Sequence, residues 1–318
     1  MLILTVSSRN QFLWLVYRYE MLFPRVAIIG GGPAGLTLAR LLQRKSIECI
    51  VFEKDLDEFA RTRGGSLDLH EGSGQGALRE AGLYDEFLKH ARRESETLRI
   101  FSPNGKALLD ESAGEGGRPE EFNNRPEIDR RLLRKLLLES LIAGTVKWNS
   151  ALLSIDELES GKLNLRFADR IEHGFDVVVG ADGAWSKVRP SLTKQQPFYS
   201  GIGGLECHIT TAETRRPALA KRVGKGMCLT LGENKGIMCQ TNGDGGVQVY
   251  AFARLPESWY AESGINFTKP EARSQIVERL YADWEPQAKQ LVLESDIETF
   301  GRPLYMLPVG FKWPHNPR

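Results

Sequence analysis

Hydrophobic positions along the chain fall into two regimes. Near the start, the β-branched run Val26-Ala27-Ile28-Ile29 gives way to glycines and then to Leu38, Leu41 and Leu42 at helical spacing, which predicts strand, turn and helix. A second strand is expected over Ile47-Glu48-Cys49-Ile50-Val51-Phe52. A helical stretch should run through Ala77, Leu78, Ala81 and Leu83. Another should start from an N-cap at Asp129, with Leu133, Leu137 and Leu141 on its core face and Arg130, Arg131, Arg134 and Lys135 on faces read as solvated. The run from Phe175 to Gly180 predicts a strand buried on both faces, ending in Asp182 beside Gly183.

From about residue 198 to 257 the pattern changes to short alternating segments split by glycines: Gly204 to Thr210, Met227 to Leu231, Gly236 to Gln240 and Gly245 to Ala253. These predict antiparallel strands and hairpins. The stretch from Lys269 to Trp284, with Ile276, Leu280 and Tyr281, predicts an amphipathic helix leading back to the first domain.

The glycines carry the first chemistry. In Gly30-Gly31-Gly32-Pro33-Ala34-Gly35, Gly30 allows the tight turn, Gly32 has no Cβ to block a pyrophosphate, and Gly35 lets the helix sit close on the strand. The helix N-terminal amides then face the phosphates. Glu53, at the tip of the second strand, is placed to accept hydrogen bonds from a ribose diol. Together these point to a Rossmann-like dinucleotide site; the alternative is a glycine-rich βαβ turn with Glu53 merely solvated. Asp182 is expected at the same sheet edge, because ligands of open α/β sheets sit outside the carboxyl ends of the strands. Arg61-Thr62-Arg63-Gly64-Gly65 suits an anion near flexible backbone, although such residues are common in loops.

Composition narrows the classes. A chain of 318 residues suggests about two domains, and 41% hydrophobic residues with 14 Phe, 8 Tyr and 6 Trp exclude a disordered or collagen-like protein. With 42 Lys+Arg against 41 Asp+Glu, no overall field attracts nucleic acid or anionic membrane. Four scattered cysteines form no disulfide framework, which points to a reducing, cytoplasmic setting. The five histidines lack metal-ligand spacing, so no metal is expected. The first twenty residues hold two apolar runs broken at Ser7 to Gln11, both shorter than the roughly 18 to 20 residues needed to cross a bilayer. No stable membrane insertion and no secretory leader are expected, and residues 1–21 read as an extension, or as an extra peripheral helix or strand.

Gly30 to Gly35 with Glu53, Gly64-Gly65-Ser66-Leu67-Asp68-Leu69-His70, Glu127-Ile128-Asp129-Arg130, and Gly180-Ala181-Asp182-Gly183 with Ser186 and Arg189 occur in the order found in FAD-dependent aromatic hydroxylases. The chain resembles a class A flavoprotein monooxygenase of the para-hydroxybenzoate hydroxylase type. The segment Gly64 to His70, Gly72-Ser73-Gly74-Gln75 and Pro126 to Arg130 bring it nearest to the tetracycline-inactivating monooxygenases. The resemblance covers about residues 25 to 313, strongly to 190. It implies an α/β fold with a Rossmann-like FAD-binding domain over residues 22–190, to which 80–115 need not belong, a β-rich substrate domain over 191–295, and a return to the first domain over 296–318.

It also implies that Gly30, Gly32, Ala34, Gly35, Glu53 and Lys54 hold the ADP half of FAD, that Asp68 and Arg130 contact the flavin cofactor, that Arg61 contacts the nicotinamide nucleotide, and that Asp182 and Gly183 lie near the pyrophosphate. Glu206 and Met227 fall near substrate-binding positions of the tetracycline subgroup without matching its polar residues, which points away from tetracycline itself. The implied reaction reduces FAD with NAD(P)H and passes oxygen through a flavin C4a-hydroperoxide to an aromatic or polyketide-like molecule. No catalytic dyad or nucleophile is called for, and a monomer is expected. After Trp313 only Pro314-His315-Asn316-Pro317-Arg318 remain, so the Gly-Asp motif and helix that follow in family members are missing. That predicts a truncated chain with weak or absent flavin retention, and leaves another FAD-dependent oxidoreductase or a non-catalytic FAD-binding remnant as alternatives.

Overall fold

A computed structural model describes residues 24–60, 64–111, 124–296 and 299–317. The expected extension over 1–21 lies outside them, as does Arg61. The described residues divide into two compact units: 24–60, 134–195 and 311–317 form one, 64–111, 124–133, 196–296 and 299–310 the other.

The first unit is built on a four-stranded parallel sheet, in the order Val177–Gly180, Val26–Ile29, Cys49–Phe52, Val146–Lys147. Its β-branched strands have apolar side chains on both faces, which demands cover on both sides. On one side Ile28, Val51 and Val26 pack with Ala39, Leu38 and Leu42 of the helix Pro33–Arg44. On the other, Ala27, Ile29 and Phe52 meet Leu163, Leu165, Phe167 and Phe175, contributed by or adjoining a three-stranded antiparallel sheet of Ser154–Glu157, Leu163–Arg166 and Ile171–Phe175. Phe52 lies 5.0 Å from Phe167 and edge-on to Phe175 at 5.9 Å.

The expected single strand from Phe175 is two. Phe175 ends an antiparallel strand and Val177 begins a parallel one, because Asp176 between them accepts from the backbone N–H of Arg25 at 2.9 Å and from Lys162 Nζ at 2.6 Å. A carboxylate anchored sideways in this way breaks the run that hydropathy alone joins.

The second unit centres on a seven-stranded sheet, ordered Phe300–Gly301, Ile202–Ile209, Val247–Arg254, Lys235–Thr241, Met227–Gly232, Leu98–Phe101, Ala107–Asp110. The four long strands expected from alternation are present and antiparallel, while Leu98–Phe101 joins Met227–Gly232 in parallel. One face buries Leu205, Cys207, Ile237, Cys239 and Val249 against Leu219, Ile276, Tyr281 and Leu291 of the covering helices or next to them. The amphipathic stretch near 269–284 forms the helix Glu271–Leu280 and packs within this core; Pro286–Leu293 follows, with Glu285 as its N-cap, accepting from the N–H groups of Gln287 and Ala288.

Candidate active site

In the first unit, the chain leaves Val26–Ile29 through Gly30, whose φ of +111° an L side chain resists, and whose added Cβ would lie 2.4 Å from the Ala181 carbonyl oxygen. Gly35 has a similar restriction: a Cβ there would sit 2.1 Å from the Gly30 carbonyl oxygen. Gly32 has none, since a Cβ there meets no atom within 4 Å. Two glycines thus serve close packing of strand and helix, and the third borders open space.

That space is a cavity of about 700 Å³ lined by Gly30, Gly32, Glu53, Lys54, Asp182, Gly183, Trp185 and Lys187, among others. The helix Pro33–Arg44 starts here with Pro33 at its first position, no side-chain cap and no acidic residue in its first turn. Its amide end is therefore suited to an anionic ligand. Glu53 is 2% exposed, and its Oε2 accepts from the backbone N–H of Gly31 while Oε1 accepts from that of Asp55 at 3.1 Å. Asp182 Oδ2 accepts from Lys187 N at 2.6 Å and from Val188 N at 3.4 Å, whereas its Oδ1 is buried without a hydrogen-bond partner. A glycine with free space at its Cβ, an uncapped helix start and an orphaned buried carboxylate oxygen fit a dinucleotide that supplies phosphate oxygens and hydroxyl donors.

The match to known proteins extends over most of the chain. Residues 24–284 match the family model described as an FAD binding domain. The chain belongs to this family. Monooxygenase asqM of Emericella nidulans is 30% identical over 342 aligned positions, covering 92% of this chain and 75% of the relative. The 3-amino-4-hydroxybenzoate 2-monooxygenase PtnB3 of Streptomyces platensis is 36% identical over 183 residues, 56% of this chain and 44% of the relative. Among solved structures, Klebsiella pneumoniae HpxO with FAD and uric acid shares the fold at a TM-score of 0.70 and 19% identity, covering 89% of this chain and 68% of that one. Tetracycline destructase Tet(51) does so at 0.62 and 17%, covering 91% and 71%. The chain is therefore an FAD-family oxidoreductase whose curated relatives are monooxygenases.

Within this family member, Gly30, Gly32, Glu53, Lys54, Asp182 and Gly183 share the cavity wall. Ala34 lies exposed in the first turn of the helix and Gly35 is buried beneath it. The other sequence-predicted residues belong to the second unit. Asp68 ends the strand Ser66–Asp68 opposite Glu127, and its carboxylate is 3.3 Å from Arg125 Nη1 and 3.4 Å from His70 Nε2. Arg130 is exposed and runs alongside Gly64. Glu206 lies on the sheet face opposite the apolar core, where Oε1 accepts from Gln248 Nε2 at 3.3 Å and Oε2 pairs with Arg302. Met227 opens its strand opposite Gln240. The same face carries Tyr250 directly across from Glu206, its ring stacked on Phe252 at 5.6 Å and its hydroxyl pKa raised by burial and by the Glu206 charge.

Two residues depart from their sequence reading. Arg134 is 5% exposed rather than solvated: Nε donates to the Gly31 carbonyl at 3.0 Å and Nη1 to that of Glu58 at 2.9 Å. Its place directly after Leu133 and three before Leu137, both buried, was the available signal. Asp129 is taken up not as a helix cap but by Ser66 Oγ at 2.9 Å, Arg92 Nη1 at 2.7 Å and the N–H of Gly243 at 3.1 Å.

The buried cysteines offer no nucleophile. Burial pushes the Cys207 thiol up to about 12 and that of Cys228 up to about 11, so both stay protonated at neutral pH. Among the described residues no helix is long and apolar enough to cross a membrane.

Proposed function

We propose that this chain is an NAD(P)H- and FAD-dependent monooxygenase that hydroxylates an aromatic or polyketide-like small molecule. The observation that carries this reading is the cavity at the carboxyl ends of the parallel strands, where Gly32, Glu53 and Asp182 meet an uncapped helix start in a member of the FAD binding domain family. Bound FAD would supply two-electron chemistry and the means to activate dioxygen.

The protein's part is binding, orientation and exclusion of water. Gly32 leaves room for the diphosphate and the helix amides face its charge. Glu53 lines the cavity at the strand tip, where a ribose diol is expected, and Asp182 fixes the turn through Val188 while its Oδ1 lacks a hydrogen-bond partner. In the second unit, Asp68 and Arg130 are assigned to the flavin cofactor. Glu206, Met227 and the Tyr250–Phe252 stack are assigned to the substrate, whose flat ring suits an aromatic wall. An aromatic substrate is supported by the relative named a 3-amino-4-hydroxybenzoate 2-monooxygenase. We assign domain limits of 22–190, of which 64–111 and 124–133 fall in the second compact unit, and 191–295, with a monomeric state and a cytoplasmic setting; four cysteines outside any disulfide support the last.

The test is NADH and NADPH oxidation by the FAD-loaded protein with 3-amino-4-hydroxybenzoate and a panel of phenols under ¹⁸O-labelled dioxygen. One labelled oxygen in the product is expected. Cofactor oxidation that yields only hydrogen peroxide with every compound would instead indicate an oxidase.

A further inference from the structure

We propose that Arg134 is a positioning residue for the nucleotide, acting through the Gly31–Gly32 peptide; the inference rests on the dinucleotide reading of the cavity. Two consecutive peptides of the glycine turn are held by opposite charges. The N–H of Gly31 donates to Glu53 Oε2, and the carbonyl of Gly31 accepts from Arg134 Nε at 3.0 Å. Both side chains are buried, Glu53 at 2% and Arg134 at 5% exposure.

A trans peptide is planar, with its C=O and N–H on opposite sides. Turning the Gly31 carbonyl toward Arg134 therefore turns the Gly32 N–H away from it. Gly32 lines the cavity, and nothing lies within 4 Å of where its Cβ would be. The guanidinium thus aims an amide donor at the place where phosphate oxygens are expected, and its hydrogen bond to the carbonyl polarises that donor.

The remaining contacts explain why the residue is arginine. Nη1 donates to the Glu58 carbonyl at 2.9 Å, Nη2 lies 3.4 Å from Asp55 Oδ2, and the guanidinium carbon sits 5.3 Å from the centre of the Trp148 ring. A planar fork reaches three acceptors in divergent directions; an ammonium on a flexible stem does not hold the same three. Arg134 also ties the segment after Glu53 to the glycine turn, so the residues read as ribose- and phosphate-binding move as one piece.

The experiment measures ADP binding by calorimetry and FAD binding by fluorescence for wild type, Arg134→Met and Arg134→Lys. Backbone hydrogen exchange over Gly30 to Gly32 is followed in each apoprotein. The Met variant should weaken ADP and FAD by about tenfold or more, as expected for loss of a charge-assisted hydrogen bond. The Lys variant should fail to restore wild-type affinity, and exchange over Gly30 to Gly32 should accelerate in both. If the Met variant does not fold, the Lys variant decides. Variants that bind ADP within about twofold of wild type, or a Lys variant with full affinity and unchanged exchange, would overturn the inference. Wild-type protein that binds neither ADP nor FAD would overturn the dinucleotide reading itself.

Discussion

Arg92 and Glu127 stand 3.6 Å apart, closer than a chance approach and longer than a hydrogen bond, because Asp129 holds the guanidinium at 2.7 Å. Glu127 is left 4% exposed with Oε2 accepting no hydrogen bond, and its other oxygen accepts from Gln240 Nε2 at 3.1 Å. Asp68, directly across the two-stranded ribbon, adds a like charge. Burial, reinforced by Asp68 and only partly offset by Gln240, Arg92 and Ser66, pushes the Glu127 pKa up to about 7.

Stability should therefore fall as pH rises. Folded Glu127 keeps its proton up to about pH 7, while an exposed glutamate releases it near 4.5. Its contribution is fully present below the lower value and lost as pH passes through the upper one, a change on the order of 3 kcal/mol. Urea unfolding of wild type and Glu127→Gln at pH 5 and pH 8 checks this: the variant should lack that loss. Parallel pH profiles would show that the carboxyl is ionised throughout.

The glycine turn predicts opposite phenotypes for two similar substitutions. Gly35→Ala drives a methyl to within 2.1 Å of the Gly30 carbonyl, so helix and strand must separate at a cost of about 2 to 3 kcal/mol or more. Gly32→Ala meets open space and should leave the melting temperature of the apoprotein unchanged, yet weaken FAD through contact with the diphosphate. Melting curves and FAD titrations of the two variants separate the roles.

Tyr281 is fully buried in the second unit, and its hydroxyl donates within reach of the carbonyls of Phe252 at 2.7 Å and Gly236 at 3.2 Å. Tyr281→Phe removes the donor and leaves those carbonyls to neighbours, which should cost about 1 to 2 kcal/mol in chemical unfolding. A neutral result would show that the carbonyls find other donors.

Much of this was legible in the chain. The turn from Gly30 to Gly35 was readable because Gly30 and Gly35 answer local demands, backbone angle and close approach, that no other residue meets, while Gly32 leaves open space. The long antiparallel strands followed from alternation over 202–254. What escaped depends on partners far along the chain. Arg134 is buried by Gly31, Asp55 and Glu58, more than seventy positions away in sequence. Asp129 faces Arg92 and Gly243 instead of its own helix. Local spacing hints that Arg134 lies beside the core face, but it does not name the partners that bond a buried arginine, nor tell a cap from a long-range tie.

The central claim, a built FAD site at the edge of the parallel sheet, is tested most directly by equilibrium titration of the apoprotein with FAD, with ADP as competitor. Saturable FAD binding that ADP displaces, at whatever affinity, is the predicted result. FAD fluorescence unaffected by the protein at any ratio, or binding that ADP does not compete, would contradict the account.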